Sequence, residues 1–406
     1  MTVRVLALLI AALLTGRIAL AQPAASTPLT LQAAIDQALA ASPTIAAARA
    51  AQLVDLVAVD IARERLNPEG RVEIERETPK QTYTVALPLE TAGKRTRRIA
   101  VAHASVQTGE ALLAQTVFDL RSDVRRAYFE RRVADARLSL LDELRGIAQR
   151  ARDAAQQRFT AGDAPRLELV QAELALSQAD NETTGARGAA EAARIRLNAL
   201  LALPLGAPTP LATPVDAGAV PVADAAVALA QAANTELAVL TRRIDEQRAR
   251  VALARALQTP DITPEFTVTR GSEPEFSTGW RAAVAIGLPL FTRHRALVSV
   301  EETSLSRLTL ERDALLARVA GQVASAATLA DAQRRAYLRY QNEIVPQTLE
   351  VERMAEDSYR LGQTGIAALL LALQASRDVR LRSLQAASDF QSALADLERA
   401  TGAPLP

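Results

Sequence analysis

The chain passes twice from strand-like to helix-like sequence through the same exit, and this repeated switch limits its fold more than any other feature. Residues 85–95 read VALPLETAGKR and residues 284–295 read VAIGLPLFTRHR, about two hundred residues apart. Before each exit the apolar side chains keep a period of two. Tyr83, Val85 and Leu87 alternate with Thr82, Thr84 and Ala86, and Trp280, Val284, Ile286 and Leu288 share one parity against Arg281 and Gly287. After each exit the period becomes helical. Leu113, Val117, Leu120, Val124 and Ala127 step by four and three, as do Val319, Val323, Ala326, Ala330, Gln333 and Tyr337. Thr91 to Phe159 holds no proline, so one helix on the order of 100 Å long is expected there. Pro346 should kink its counterpart.

The echo extends beyond the exits. RFTAGD places Gly162 after Phe159, and SYRLGQ places Gly362 after Tyr359. PLGAPTPLATPVDAGAVP at 204–221 joins the copies and reads as an extended connector. The expected layout is a signal peptide at 1–21, a first repeat at 22–203, the linker, and a second repeat at 222–406. Each repeat opens with an amphipathic helix, over 29–66 and 222–258, which Pro68 and Pro260 end. A β-hairpin follows, at 70–89 and 263–290, and then a long helical hairpin turning near 160–165 and 360–365. The leader has Arg4, an apolar run from Val5 to Leu14 too short to cross a bilayer, and Ala19-Leu20-Ala21 before the cleavage point.

Composition removes most other classes. There is no Cys, which excludes disulfides and thiolate chemistry in this sequence. A net charge of +1 gives no field aimed at nucleic acid. Aromatics are 3% of residues, fewer than a conventional core uses, whereas abundant Ala suits helices in close approach. No phosphate loop, zinc-protease or nucleophile-elbow motif occurs, so the chain reads as a non-enzyme with no cofactor. The two histidines, His103 and His294, have no Cys or second His beside them and read as solvated, not as metal ligands.

Pro88 and Pro289 are expected to end the strands, and Thr91 and Thr292 to cap the helices. Lys94, Arg95, Arg97, Arg98, Arg293 and Arg295 crowd two helix starts, where the dipole disfavours cations, and head groups of a membrane would offset that. Four strands with one greasy face match membrane-strand length but cannot close a barrel, so several chains must pool them. Tyr83 and Trp280 are then expected at one rim and Phe291 at the other. Glu73, Glu75 and Glu77 would line the lumen.

At this point the residues resemble the outer-membrane efflux proteins, the TolC family. The opening TLQAAIDQALAASPTI, the hairpins ending in LPL, the tips RFTAGDAPRLELVQAE and YRLGQTGIAALLLALQ, and the two-copy layout carry the resemblance, and LPLETAGKR is most similar to the cobalt–zinc–cadmium branch. The resemblance implies a mainly α chain with a membrane β-barrel: a homotrimer pooling four strands per chain into a twelve-stranded barrel, continued by a long antiparallel coiled-coil α-barrel. It implies an outer-membrane exit duct in a Gram-negative bacterium, carrying heavy-metal cations from a periplasmic adaptor and an inner-membrane resistance–nodulation–division pump. Channels for drugs or secreted polypeptides share this pattern, and a soluble periplasmic coiled-coil adaptor is the rival of another class. Thr160, Gly162, Asp163, Leu361, Gly362 and Gln363 would face the adaptor. Glu168 stands where the family carries an acid. Ala368 and Leu371 replace the family's gating aspartates, which implies a hydrophobic constriction.

Overall fold

The computed structural model describes residues 28–215 and 218–405; the expected leader at 1–21 and two residues of the linker lie outside them. Two short helices come first, α1 (Leu31–Ala41) and α2 (Pro43–Arg63). They differ from the single helix expected over 29–66. The break has a local cause: the Ser42 hydroxyl accepts the Ile45 amide, and Pro43 occupies the first turn, where its missing donor costs nothing. The second half repeats the device, with Asn234 Oδ1 accepting the Leu237 amide at 2.9 Å between α5 (Ala223–Ala233) and α6 (Thr235–Ala256).

Strands β1 (Glu69–Ile74) and β2 (Gln81–Ala86) follow α2, and β3 (Ile262–Ser272) and β4 (Phe276–Ile286) follow α6. They form one antiparallel sheet in the order β1-β2-β3-β4, so the two hairpins join through β2 and β3. Strands β2 and β4 both stop before the Leu-Pro-Leu runs at 87–89 and 288–290. The Leu87 and Leu89 amides both donate to β3, to Pro264 O and Ile262 O. Alternation then points the missing donor of Pro88 toward the β1 side, opposite residues that precede the start of β1 at Glu69. This proline closes the β1 side while the β3 side runs on.

Helix α3 (Lys94–Ala161) runs unbroken for 68 residues and returns as α4 (Arg166–Leu200). Its counterpart α7 (Arg295–Arg339) passes through a π-helical stretch, Tyr340–Ile344, into α8 (Val345–Arg360), and α9 (Ile366–Thr401) returns. The expected kink at Pro346 is thus a widened turn, after which the proline sits in the first turn of α8. Neither Thr91 nor Thr292 caps its helix. Gly93 (φ +66°) and His294 (φ +50°) hold the cap positions in left-handed conformation, with no side-chain hydrogen bond to the helix.

Small residues let the helices approach. Ala151, Ala155 and Ala172 are buried at one end, and Gly109 faces Asp55, whose carboxylate would lie 2.6 Å from an added β-carbon. The halves are bolted together mid-length by Arg125 and Glu398, 2.6 Å apart and both buried, with Glu398 also accepting the Leu405 amide. Tyr128 pins the linker: its hydroxyl donates to Leu29 O and accepts the Thr213 amide. Gly402 (φ +75°) ends α9 so close to Ala233 that a β-carbon would strike that residue's carbonyl, whereas Gly162 (φ +84°) has open space around it. Gly402→Ala should therefore cost about 3 kcal/mol and Gly162→Ala only about 1 kcal/mol, read from the loss of helical circular dichroism on heating. Equal shifts would contradict the close approach at Gly402.

Candidate functional site

Three places carry the candidate functional residues: the sheet, the strand-to-helix junction and the helical tips. On the sheet, cross-strand rows separate two faces. Val72, Tyr83, Val268 and Trp280 stand opposite one another in one row, and Arg71, Thr84, Thr267 and Arg281 in the next. Directly paired residues share a face, so the first row and its alternates toward Leu-Pro-Leu are apolar and the second row polar, while toward the turns the apolar face gives way to Gln81, Arg270 and Thr278. The apolar face is bare: Ile74 is 78% exposed and Trp280 74%. Phe266 and Trp280 stack on it with ring centroids 6.3 Å apart. On the polar face the Thr84 and Thr267 hydroxyls meet at 3.1 Å.

Tyr83 and Trp280 share a row as expected, but Trp280 lies four residues inside β4 instead of at its rim; Phe291 lies beyond the other end of that strand and is fully exposed. The acidic lining is corrected more deeply. Only Glu73 stands in a strand. Glu75 is just past β1, where its amide donates to Lys80 O, and Glu77 falls in the turn. Arg71 is 4.0 Å from Glu73, and Arg281 shares the polar face with Glu265. The polar face is therefore of mixed charge. Alternation in RVEIERE could not reveal where the turn begins.

At the junction the bases find partners inside the chain. Lys94 is buried and its Nζ lies 2.7 Å from Asp261 Oδ1, which also accepts the Thr91 amide at 2.9 Å. The Thr91 hydroxyl donates to Pro260 O at 2.6 Å. Arg95 donates to Arg63 O, and Arg98 donates to Ala62 O, Glu64 O and the Glu90 carboxylate. Three bases thus attach to the free carbonyls at the end of α2 and to two acids. The negative end of that helix offsets their crowding at the start of α3. This corrects the expectation of head-group contact for Lys94, Arg95 and Arg98; Arg97, Arg293 and Arg295 stay exposed. Asp261 and the α2 carbonyls were missed in sequence because they lie far away along the chain, whereas Glu90 is only eight residues from Arg98 inside the exit motif itself. Among the described residues no group of three or more His, Asp or Glu is placed to hold a metal ion, and no helix is long and apolar enough to cross a membrane.

The tips turn alike. Gly162 (φ +84°) and Gly362 (φ +72°) donate to Phe159 O and Tyr359 O, and Asp163 and Gln363 donate one residue further back, to Arg158 O and Ser358 O. Thr160, Gly162, Asp163, Leu361, Gly362 and Gln363 are all exposed. Behind them Glu168 is buried. It accepts from Arg158 at 2.8 Å and from the Tyr359 hydroxyl at 2.9 Å, and the Arg158 guanidinium stacks 5.4 Å from the Tyr359 ring. One tip thus supplies both charges and the other the phenol. Ala368 and Leu371 are exposed on one side of α9, and Leu371 lines a groove of about 510 Å³ between α3, α4 and α9.

Residues 34–203 match the family described as Outer membrane efflux protein. The chain is 28% identical to the cobalt-zinc-cadmium resistance protein CzcC of Cupriavidus metallidurans over 309 residues, 72% of this chain and 73% of that one. Its fold matches that of CusC, studied for transmembrane channel formation, with a TM-score of 0.75 at 15% identity over 93% of each chain. It also matches the outer membrane protein VceC of Vibrio cholerae, with a TM-score of 0.72 at 16% identity over 92% of this chain and 96% of that one.

Burial and the neighbouring Glu168 push the Tyr359 phenol up to about 12, only partly countered by Arg158. A neutral phenol held this way contributes its full stabilisation below pH 10 and loses it as pH rises through 12. An ultraviolet titration should show one late-ionising tyrosine that disappears in Tyr359→Phe and titrates earlier in Glu168→Gln. A late step unchanged in Glu168→Gln would contradict the contact.

Proposed function

We propose that this chain, related to the outer membrane efflux proteins in sequence across its first half and in fold along nearly its whole length, is the outer-membrane exit duct of a tripartite efflux system. The observation that carries the reading is the sheet. One face is bare and apolar, the other is polar, and both outer strands leave an edge unpaired within the chain. Such a sheet is stable in lipid only when copies complete it into a barrel. Three copies give twelve strands, enough for a water-filled passage. The long hairpins then carry that passage about 100 Å into the periplasm, given 1.5 Å per residue in α3. A soluble adaptor has no use for the greasy face.

The exposed tips suit the adaptor, and energy and cargo selection belong to the inner-membrane pump. Ala368 and Leu371 form an apolar constriction in place of an acidic ring. The polar face, with Arg71 and Arg281 beside its glutamates, passes cations without a strong charge filter. The likeness to CzcC supports divalent heavy-metal cations as cargo.

The direct test is a deletion strain grown across cobalt, zinc, cadmium, drugs and dyes. Metal sensitivity restored by the intact gene is expected; sensitivity to drugs alone would overturn the cargo. Gly162→Val and Gly362→Val should abolish complementation while leaving oligomers in the outer membrane, since both glycines hold left-handed turns. In planar bilayers Leu371→Ala should raise single-channel conductance if this side chain narrows the passage.

A further inference from the structure

Within the chain, the first strand-to-helix exit fastens onto the start of β3: Thr91 and Lys94 hold Pro260 and Asp261. Each member of this clasp has a counterpart that holds nothing. Counted from the two Leu-Pro-Leu runs, Thr292 corresponds to Thr91 and Arg295 to Lys94. The ladders supply the acid. Glu69 pairs with Ala86, the residue before the first Leu-Pro-Leu. Ile262 pairs with Ile286, so one step further Asp261 falls opposite Gly287, the residue before the second. Glu69 thus occupies the place of Asp261, and Asn67-Pro68-Glu69 against Thr259-Pro260-Asp261 gives the same match in sequence. Glu69, Thr292 and Arg295 are all exposed, and among the described residues their side chains have no ion pair or hydrogen bond.

We infer that these counterparts form the same clasp between two copies: Arg295 of one copy pairs with Glu69 of the next, and the Thr292 hydroxyl donates to the carbonyl of the next copy's Pro68. The inference rests on the ring of copies proposed above and fixes how its seam closes. Two observations independent of the clasp agree with it. The first is register. Thr91 opposite Pro260 continues the observed β2–β3 ladder, in which Leu89 bridges Ile262. Carried to the seam, that register sets Leu288 opposite Val72 and Ile286 opposite Ile74. All four are exposed and apolar. A slip of one residue would place apolar against polar positions, so the agreement in parity is not guaranteed by the clasp.

The second observation is on the helices below. Helix α6 is gripped between α3 and α7, whereas its counterpart α2 has only α3 as a substantial neighbour. The uncovered side of α2 is a greasy stripe of Leu53, Val54, Val57 and Ile61, each more than half exposed. The outer side of α7 bears exposed Val300 and Leu310. The step that brings Arg295 to Glu69 brings α7 of one copy against α2 of the next, covering both.

The chain has no Cys, so engineered pairs report without background. The full-length protein carrying Glu69→Cys and Arg295→Cys is treated in outer membranes with a short bifunctional maleimide. A covalent ladder of dimer and closed ring is expected from the double variant and from neither single one. Lys94→Cys with Asp261→Cys should give an internal bridge and no ladder. Charge reversal gives a second reading: Glu69→Arg or Arg295→Glu alone should lower the heat-resistant oligomer at least threefold, and the two together should restore it. Oligomers seen by native electrophoresis in mild detergent, with no cysteine ladder and no rescue, would overturn the clasp and leave the duct standing. A monomer in every assay would overturn both.

Discussion

Backbone hydrogen bonds at the two outer strands govern this molecule. Within one chain β1 and β4 each pair on one side only, and the sheet's apolar face is bare. An unpaired amide or carbonyl in hydrocarbon costs several kcal/mol, more than side-chain packing at one position recovers. In the outer-membrane duct proposed above, the four strands therefore have to lie where those of other copies can complete them. The linked hairpins, the clasp at Asp261 and the cap of α2 by Arg95 and Arg98 all serve to hold the sheet squarely on the helices.

The junction shows how one cluster of charges meets several demands. Helix α2 ends with free carbonyls, and α3 begins beside them with three bases. A helix start is a poor place for a cation, yet the end of a neighbouring helix is a good one. The chain satisfies both by bringing the two termini together. Lys94, buried against Asp261, ties this corner to the second half.

Much of this was legible in the residues, and the misses share a cause. The strand-to-helix switch, the long unbroken helix and the left-handed tip glycines follow from periodicity and from the position of proline and glycine, which are local signals. The breaks at Ser42 and Asn234 were also local but hidden, because a polar cap inside an apolar period looks like one more exposed position. The role of the basic cluster was not readable: its partners Asp261 and the α2 carbonyls are brought near only by the fold. The same is true of Glu168, whose family position suggests an acid at the tip but whose burial against Arg158 and Tyr359 needs both hairpins in place. The glutamate triplet failed for a different reason, since strict alternation continues past the strand into the turn.

The two tips match in backbone but not in chemistry. One keeps an arginine and a glutamate beneath its turn, while the other lends a single phenol and carries an alanine where the acid would be. In any closed ring of such chains, successive fingers at the lower mouth alternate in kind. An attached protein that presents identical grips around the circle therefore meets two unlike surfaces in turn. A good seat requires grips that either alternate themselves or ignore every second finger.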